Sequence, residues 1–542
     1  MSRPRDRVGE RLTRSTSREL TEPTVGGKAL RREPVKELPR WAVLLPVVVL
    51  ALVLVAGARA DTWTVSSATT VSETAGTSPF GFPPCSTAGS PPDTTWAGSE
   101  EEPWIAANPS DPTNLAVSWQ QDRWQLYGGS PALLTASSTD GGASWSSVTL
   151  PGTACTGGSL RRAADSWLSF APNGDLYASE IVYSIGASFP SAVLVYKSTD
   201  GGQSWDAGTT IAESTSSAFP QEDKEAITAD PASSKFAYVV WDFHTDPANP
   251  CDPTQVLFSR TTDAGATWGA PQVLFDGGTT QSTVGNQIVV DGKRKIVYDF
   301  FDRFRYTDST CGTLAGIDLL MRYSTDRGKT WLPKQPIAVA VMQPRDFFSV
   351  WIPAGDTSGG QAVRGPALPA MAIDPKRGWL YAVWKDARFS SNAYDSIALS
   401  ASEEQGKHWS RPIKVNQTPD TGPTDDRQAF LPSVDVAANG TVAVTYYDFR
   451  NNTISGDNTE TDYWLVHCSK ECRQASHWTG NETRVTASSF SIQNAPTAAR
   501  VNAKFLGDYE GLTHIGNTFA LAYVTPGSSG DPADVQFATV GP

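Results

Sequence analysis

Two sets of charged side chains recur along this 542-residue chain, at places where repetition could gather them into one site. The first set comprises Glu101-Glu102, Arg162 with Asp165, Asp223-Lys224-Glu225, Asp426-Arg427 and Asp508-Tyr509-Glu510. Each stands just ahead of an apolar stretch. The second set closes the apolar stretch that follows: Asp122-Arg123, Asp242 with His244, Asp302-Arg303, Asp386 with Arg388, and Asp448 with Arg450. Paired carboxylates are what glycoside hydrolysis needs, one as proton donor and one as nucleophile or base. Arginine binds a carboxylate through two parallel hydrogen bonds, so a group of arginines suits an acidic sugar. Asp165, Glu225 and Glu510 are therefore candidate catalytic residues, and Arg123, Arg303, Arg388, Arg427 and Arg450 are candidate substrate-binding residues. The same recurrence also fits ion pairs between neighbouring repeats, because catalytic groups seldom repeat.

The elements that position these residues are visible as repeats. Ser138-Thr-Asp-Gly-Gly-Ala-Ser-Trp145, Ser198-Thr-Asp-Gly-Gly-Gln-Ser-Trp205, Thr261-Thr-Asp-Ala-Gly-Ala-Thr-Trp268 and Ser324-Thr-Asp-Arg-Gly-Lys-Thr-Trp331 share one pattern. Ser402-Glu-Glu-Gln-Gly-Lys-His-Trp409 is a degenerate fifth copy. In a hairpin turn, the aspartates Asp140, Asp200, Asp263 and Asp326 can accept backbone N–H bonds. The glycine takes a positive φ, and the tryptophan anchors the turn to its blade. A second repeat precedes each turn, two apolar runs separated by Asp or Asn and ending in an aromatic residue, as from Trp104 to Trp119, Ala226 to Trp241 and Met371 to Trp384. A final unit from Gly507 to Tyr523 lacks the aspartate turn. The period of about sixty residues suits a four-stranded blade with its loops. The fold expected is all-β, a β-propeller of seven blades, with six as the alternative. A strand between Trp63 and Val71 would complete the last blade.

The four turns resemble the Asp boxes of the sialidase superfamily and related BNR-repeat propellers, over most of residues 99 to 540. That resemblance implies an exo-glycosidase acting on extracellular glycans; the alternative is a non-catalytic cell-surface propeller that binds glycans or protein. It also implies a tyrosine nucleophile activated by a glutamate, for which Tyr509 beside Glu510 is the candidate. Where sialidases place an Arg-Ile-Pro-like motif, this chain has Glu101-Glu102-Pro103-Trp104. A glutamate there repels a sugar carboxylate unless it is protonated or paired. The strand polarity of a propeller puts both charged sets on one face and the aspartate turns on the other.

Outside the repeats, Trp41 to Gly57 is the one long apolar run, preceded by arginine-rich sequence. Residues 1–40 read as a disordered basic cytoplasmic segment and 41–58 as a transmembrane signal anchor, with a cleaved signal peptide as the alternative. Residues 59–98 read as an extracytoplasmic linker, and 99–542 as the propeller. The formal charge is -13; the first 60 residues carry 12 Lys/Arg against 6 Asp/Glu, which leaves the remainder near -19. So acidic a surface excludes nucleic acid as a partner and leaves carbohydrate. Cys85, Cys155, Cys251, Cys311, Cys468 and Cys472 all follow the anchor, and pairing of sequence neighbours gives 85–155, 251–311 and 468–472. No cofactor and no catalytic metal is expected, although the Asp/Asn-rich loop Asn451 to Asp462 has the oxygen ligands that calcium prefers.

Overall fold

Alternation of apolar and polar residues, broken by Gly, Pro, Asn and Asp, dictates short strands that reverse often. In the computed structural model these runs pair into antiparallel sheets, and residues 63–72, 94–353, 362–453, 459–498, 502–527 and 532–542 are described. The first sheet contains Glu100–Ala107, Leu115–Gln121, Ala132–Ser138 and Ser146–Thr149. The second begins with Arg162–Phe170, the third with Glu222–Ala229 and the fourth with Gln281–Asp291. The fifth begins with Ala370–Ile373, the sixth with Ala429–Val436 and the seventh with Gly511–Ile515.

Within each sheet the strands follow sequence order, so the chain moves outward and then steps to the next sheet. The seven first strands lie side by side, and Gly511–Ile515 packs back onto Glu100–Ala107. The ring thus closes as a β-propeller, among the described residues, with seven blades. The last blade has only three strands of its own; Thr64–Val65 and Thr69–Thr70 pair with its strand Asp534–Gly541. The expected strand near Trp63 is therefore present, and it ties the two ends of the described chain together.

The aspartate turns join the third strand of a blade to the fourth, at the end of the ring opposite the starts of the first strands. Asp140 Oδ1 accepts the Ser138 hydroxyl at 2.8 Å and the Ser144 N–H at 2.9 Å, and Asp263 and Asp326 repeat these bonds within 0.1 Å. The degenerate fifth copy keeps the Gly406 N–H to Ser402 bond, while Glu404 and His408 replace the carboxylate–hydroxyl pair. The tryptophans depart from expectation, because each crosses to the preceding blade instead of packing on its own. Trp205 donates to Thr135 at 2.8 Å; Trp268 packs edge-on against Tyr177, and Trp331 against Phe258. The turn glycines bring the backbone close to that neighbouring blade: a Cβ on Gly142 would lie 2.2 Å from Phe537 and one on Gly328 2.5 Å from Phe258.

Two excursions leave the ring. Ser349–Trp351 and Ala362–Arg364 come from the connection between the fourth and fifth blades, and Thr497–Ala498 and Ala503–Phe505 from that between the sixth and seventh. They form an eighth small sheet in which Ala362–Arg364 runs parallel to Ala503–Phe505. Disulfides join Cys251 to Cys311 and Cys468 to Cys472, as sequence adjacency suggested; Cys85, and with it the 85–155 pairing, lies outside the described residues. The expected anchor at 41–58, the expected cytoplasmic segment 1–40 and most of the expected linker 59–98 also lie outside them. Among the described residues no helix is long and apolar enough to cross a membrane. Nor do three or more His, Cys, Asp or Glu group there to hold a metal ion, and the proposed calcium loop is described only in part.

The two glycines of the first turn separate backbone from contact effects. Gly141 (φ +75°) faces open space, whereas a Cβ on Gly142 (φ +91°) would lie 2.2 Å from the Phe537 ring of the seventh blade. Gly141→Ala is expected to cost about 1 kcal/mol, the left-handed penalty alone. Gly142→Ala is expected to cost about 3 kcal/mol by adding overpacking. Urea unfolding midpoints of the two variants check the difference.

Candidate functional site

A break in strand register builds the mouth of the ring. The first strands of blades one, two, three, four and six each carry a bulge near their start, between Glu101 and Trp104, Ala164 and Ser166, Asp223 and Ala226, Val284 and Gln287, and Phe430 and Ser433. The extra residue adopts the left-handed conformation at Glu102 (φ 54°), Asp165 (48°), Lys224 (46°), Gly285 (77°) and Leu431 (50°). Bulges re-aim side chains and cluster beside active sites. For a non-glycine residue the conformation costs about 1–3 kcal/mol, which persists only where surrounding contacts enforce it.

Three of these re-aimed side chains, Glu102, Asp165 and Lys224, line one polar cavity of about 260 Å³ together with Gln120, Arg123, Asp223, Arg364 and Asp508. The ammonium of Lys224 is its centre. It contacts Asp165, lies 2.9 Å from Asp508 Oδ2 and is 3.6 Å from Glu102 Oε1. Arg364, from the small sheet, grips Asp508 with Nε and Nη2, each at 2.5 Å. Glu102 accepts the Asp508 backbone N–H at 3.1 Å on one oxygen and the Gln120 amide on the other. Arg123 lays its guanidinium 3.9 Å from the centre of the Phe505 ring and 3.9 Å from Glu101.

This environment separates the proton affinities of neighbouring carboxylates. Burial pushes Glu102 up to about 7, against a downward pull from Lys224 and with upward pushes from Asp165 and Asp508. Burial also raises Asp508, but Arg364 and then Lys224 outweigh it and hold that carboxyl well below the usual range. Asp165 is raised, by burial first, with Lys224 opposing. Glu102 thus holds its proton to higher pH than the neighbouring Asp508, and two carboxyls of separated proton affinity suit acid–base chemistry.

The other expected residues are distributed differently. Glu225 follows Lys224 on the strand, is fully buried and has no hydrogen bond to either carboxylate oxygen. Tyr509 does not present its hydroxyl to the cavity: that oxygen accepts the Ser166 N–H at 2.8 Å, and the ring packs against Trp104 and Trp167. Glu510 is buried, and burial raises its carboxyl well above the usual range. Neither Tyr509 nor Glu510 lines the polar cavity, so the pair does not act there. Of the five expected arginines only Arg123 lines it. Arg303 is paired to Asp318 at 2.6 Å, Arg388 to Asp386 at 2.7 Å and Arg450 to Asp448 at 2.6 Å, each within its own blade. Arg427 donates to Gly422 O and covers the Tyr394 ring. The recurrent Asp–Arg signal is therefore mostly structural, and the pairs lie inside blades, not between them.

Sequence reasoning missed Arg364 and Phe505, and passed over Lys224. One signal was present: 78 residues separate Trp331 from Trp409, against 63 between Trp268 and Trp331, and the surplus contains Arg364.

No protein-family model matches the chain, and no curated protein sequence matches it. Solved structures with a similar fold include sialidases and arabinanases. The α-L-arabinanase of Penicillium chrysogenum is 12% identical with a TM-score of 0.40, over 83% of this chain and 97% of that one. NanB sialidase of Streptococcus pneumoniae is 13% identical with a TM-score of 0.38, over 83% and 69%. A Dyadobacter fermentans protein of unknown function is 12% identical with a TM-score of 0.42, over 83% and 97%. At TM-scores this low the fold assignment rests on the ring of sheets itself.

Two outcomes follow for stability. Lys224→Met leaves buried carboxylates without their shared cation and is expected to cost about 3–5 kcal/mol. Adding Asp165→Asn should recover part of that loss, as read from urea midpoints. Burial also raises Glu101 and Glu180 to about 8 and Asp242 to about 7. A raised folded value favours the native state below the unfolded value and loses that advantage as pH rises through the folded one. Unfolding free energy should therefore decline between about pH 5 and 8, measured by denaturant titration across that range.

Proposed function

We propose that this protein is a glycoside hydrolase whose site is the polar cavity at the mouth of the ring. The observation that carries the proposal is the meeting of three buried carboxylates, Glu102, Asp165 and Asp508, around Lys224 in one cavity, where burial raises Glu102 to about 7 while Arg364 and Lys224 hold Asp508 low. Glu102 is the proton donor to the leaving oxygen. Asp165, the other re-aimed carboxylate, attacks the sugar carbon or activates water. Asp508 opposes the positive charge that develops on the ring in the transition state.

The sialidase-like form of this activity is not the version the charges favour. Arg364 is occupied by Asp508 in a two-point grip, and Lys224 is surrounded by three carboxylates. With its cations matched by its anions, the cavity suits a neutral sugar at the end of a glycan better than a sialate. The internal matching also supports a second reading, a propeller that binds glycans without cleaving them. An extracytoplasmic location, with 41–58 as anchor, belongs to the same proposal and is supported by the two disulfides.

A panel of neutral and acidic 4-nitrophenyl glycosides tests the reading. Turnover is expected with neutral members, with Glu102→Gln lowering kcat by about 10²–10⁴-fold. Because the donor must be protonated, kcat/KM should fall as pH rises above about 7, and that limb should vanish in Glu102→Gln. Absence of turnover across the panel by folded protein, with glycan binding retained, would select the second reading.

A further inference from the structure

The loop that follows the second strand of the first blade, residues 122–129, has an unusual backbone. Tyr127, Gly128 and Gly129 are successively left-handed, at φ 64°, 69° and 68°. Glycine meets that requirement freely; tyrosine does not. The conformation is imposed from outside. Arg162 donates one guanidinium nitrogen to Leu126 O at 2.7 Å and to Gly128 O at 2.9 Å, Tyr183 donates to Tyr127 O at 3.3 Å, and the Trp124 N–H bonds Gly129 O at 2.9 Å. Gly129 leaves no room for a side chain, since a Cβ there would lie 2.4 Å from the Tyr183 hydroxyl and 2.9 Å from the Ala163 carbonyl, and one on Gly128 would displace the Arg123 guanidinium, 2.8 Å away.

The product of this bracing is an aromatic ring pushed outward. Tyr127 is 49% exposed, yet it lines the same cavity as Glu102, Asp165 and Asp508. The other aromatic residue on the cavity wall, Phe505, is buried, and the guanidiniums of Arg123 and Arg364 cover it. The left-handed backbone at Tyr127 costs energy that the half-exposed ring, burying little of its own surface, does not return to the fold. It is well explained by a ligand that brings its own apolar face. A sugar ring does so: its axial C–H groups lie against an aromatic face while its hydroxyls remain in water.

We propose that Tyr127 is the stacking platform for a second sugar ring, the one attached to the residue held among Glu102, Asp165 and Asp508. This rests on the glycosidase reading and deepens it, by making the preferred ligand at least a disaccharide. Tyr127 then sets specificity and takes no part in proton transfer. Its rigid bracing by Arg162 and Tyr183 suits that role, because a preorganised ring loses little freedom on binding.

The test compares a neutral disaccharide with the methyl glycoside of its terminal sugar, which offers nothing to stack. Both are titrated calorimetrically into Glu102→Gln protein, and both are assayed for hydrolysis by wild-type protein. The disaccharide should bind about tenfold or more tightly than the methyl glycoside, with the advantage lost in Tyr127→Ala and kept in Tyr127→Trp. In wild-type background, kcat/KM for the disaccharide should fall about tenfold further in Tyr127→Ala than that for the methyl glycoside. Equal binding of the two ligands, or an advantage that survives Tyr127→Ala, overturns the platform even if hydrolysis is observed. A Tyr127-dependent advantage without hydrolysis by any variant supports the platform and removes the catalytic reading beneath it. If Tyr127→Ala unfolds, Tyr127→Ser, compared by the same two ligands with folding checked by circular dichroism, decides the question.

Discussion

The ammonium of Lys224 gathers charges that the chain delivers from far apart. Glu102 arrives from the first blade, Asp165 from the second and Asp508 from the approach to the seventh, while Lys224 itself belongs to the third. Each of these carboxylates is buried, and a buried carboxylate without a cation is strongly unfavourable. The cluster therefore holds only if the ring closes with its blades in fixed rotation. That makes the mouth of the ring a consequence of global closure, and it explains why strained backbone at three of the four positions is tolerated there.

Closure is enforced at the other end of the molecule. The aspartate turns do no chemistry, but their tryptophans and glycines bind each blade to the one before it. The turns need a carboxylate held by its own neighbours and a glycine pressed against the preceding blade. Those needs leave no freedom for a ligand. Opposite them, the first strands begin with bulges that turn side chains toward the channel. The small sheet then brings Arg364 and Phe505 over that opening, giving the cavity a wall the blades do not supply. Rigidity at one face and unsatisfied geometry at the other are two aspects of the same ring.

Within this frame the carboxylates differ by environment alone. Asp508 has two cations at hydrogen-bonding distance and stays ionised, while burial first, and then the neighbouring Asp165 and Asp508 carboxylates, outweigh Lys224 and make Glu102 keep its proton to higher pH. The Glu101-Glu102-Pro103-Trp104 stretch, which departs from an arginine-bearing motif, is thus the source of the cavity's acid. The departure that argued against an acidic sugar coincides with Glu102, the residue proposed as proton donor.

The sequence by itself determined the all-β class, the repeating unit, the two faces and the strand near Trp63 that completes the last blade. These follow from local rules, since turn chemistry and alternation act over a few residues and repetition reveals them. It also indicated Asp165 and Arg123, because both sit at repeat boundaries. Only the tertiary structure decided which boundary charges meet. Arg303, Arg388 and Arg450 share the pattern of Arg123 but are consumed by carboxylates of their own blades, and Tyr509 lends its hydroxyl to the backbone of the second blade. Arg364 lies in an excursion with no repeat signature, and Lys224 reads as an ordinary surface lysine until a bulge turns it inward. The physical reason is range: a turn is fixed by neighbours in sequence, whereas a buried charge is fixed by partners that only ring closure brings within hydrogen-bonding distance.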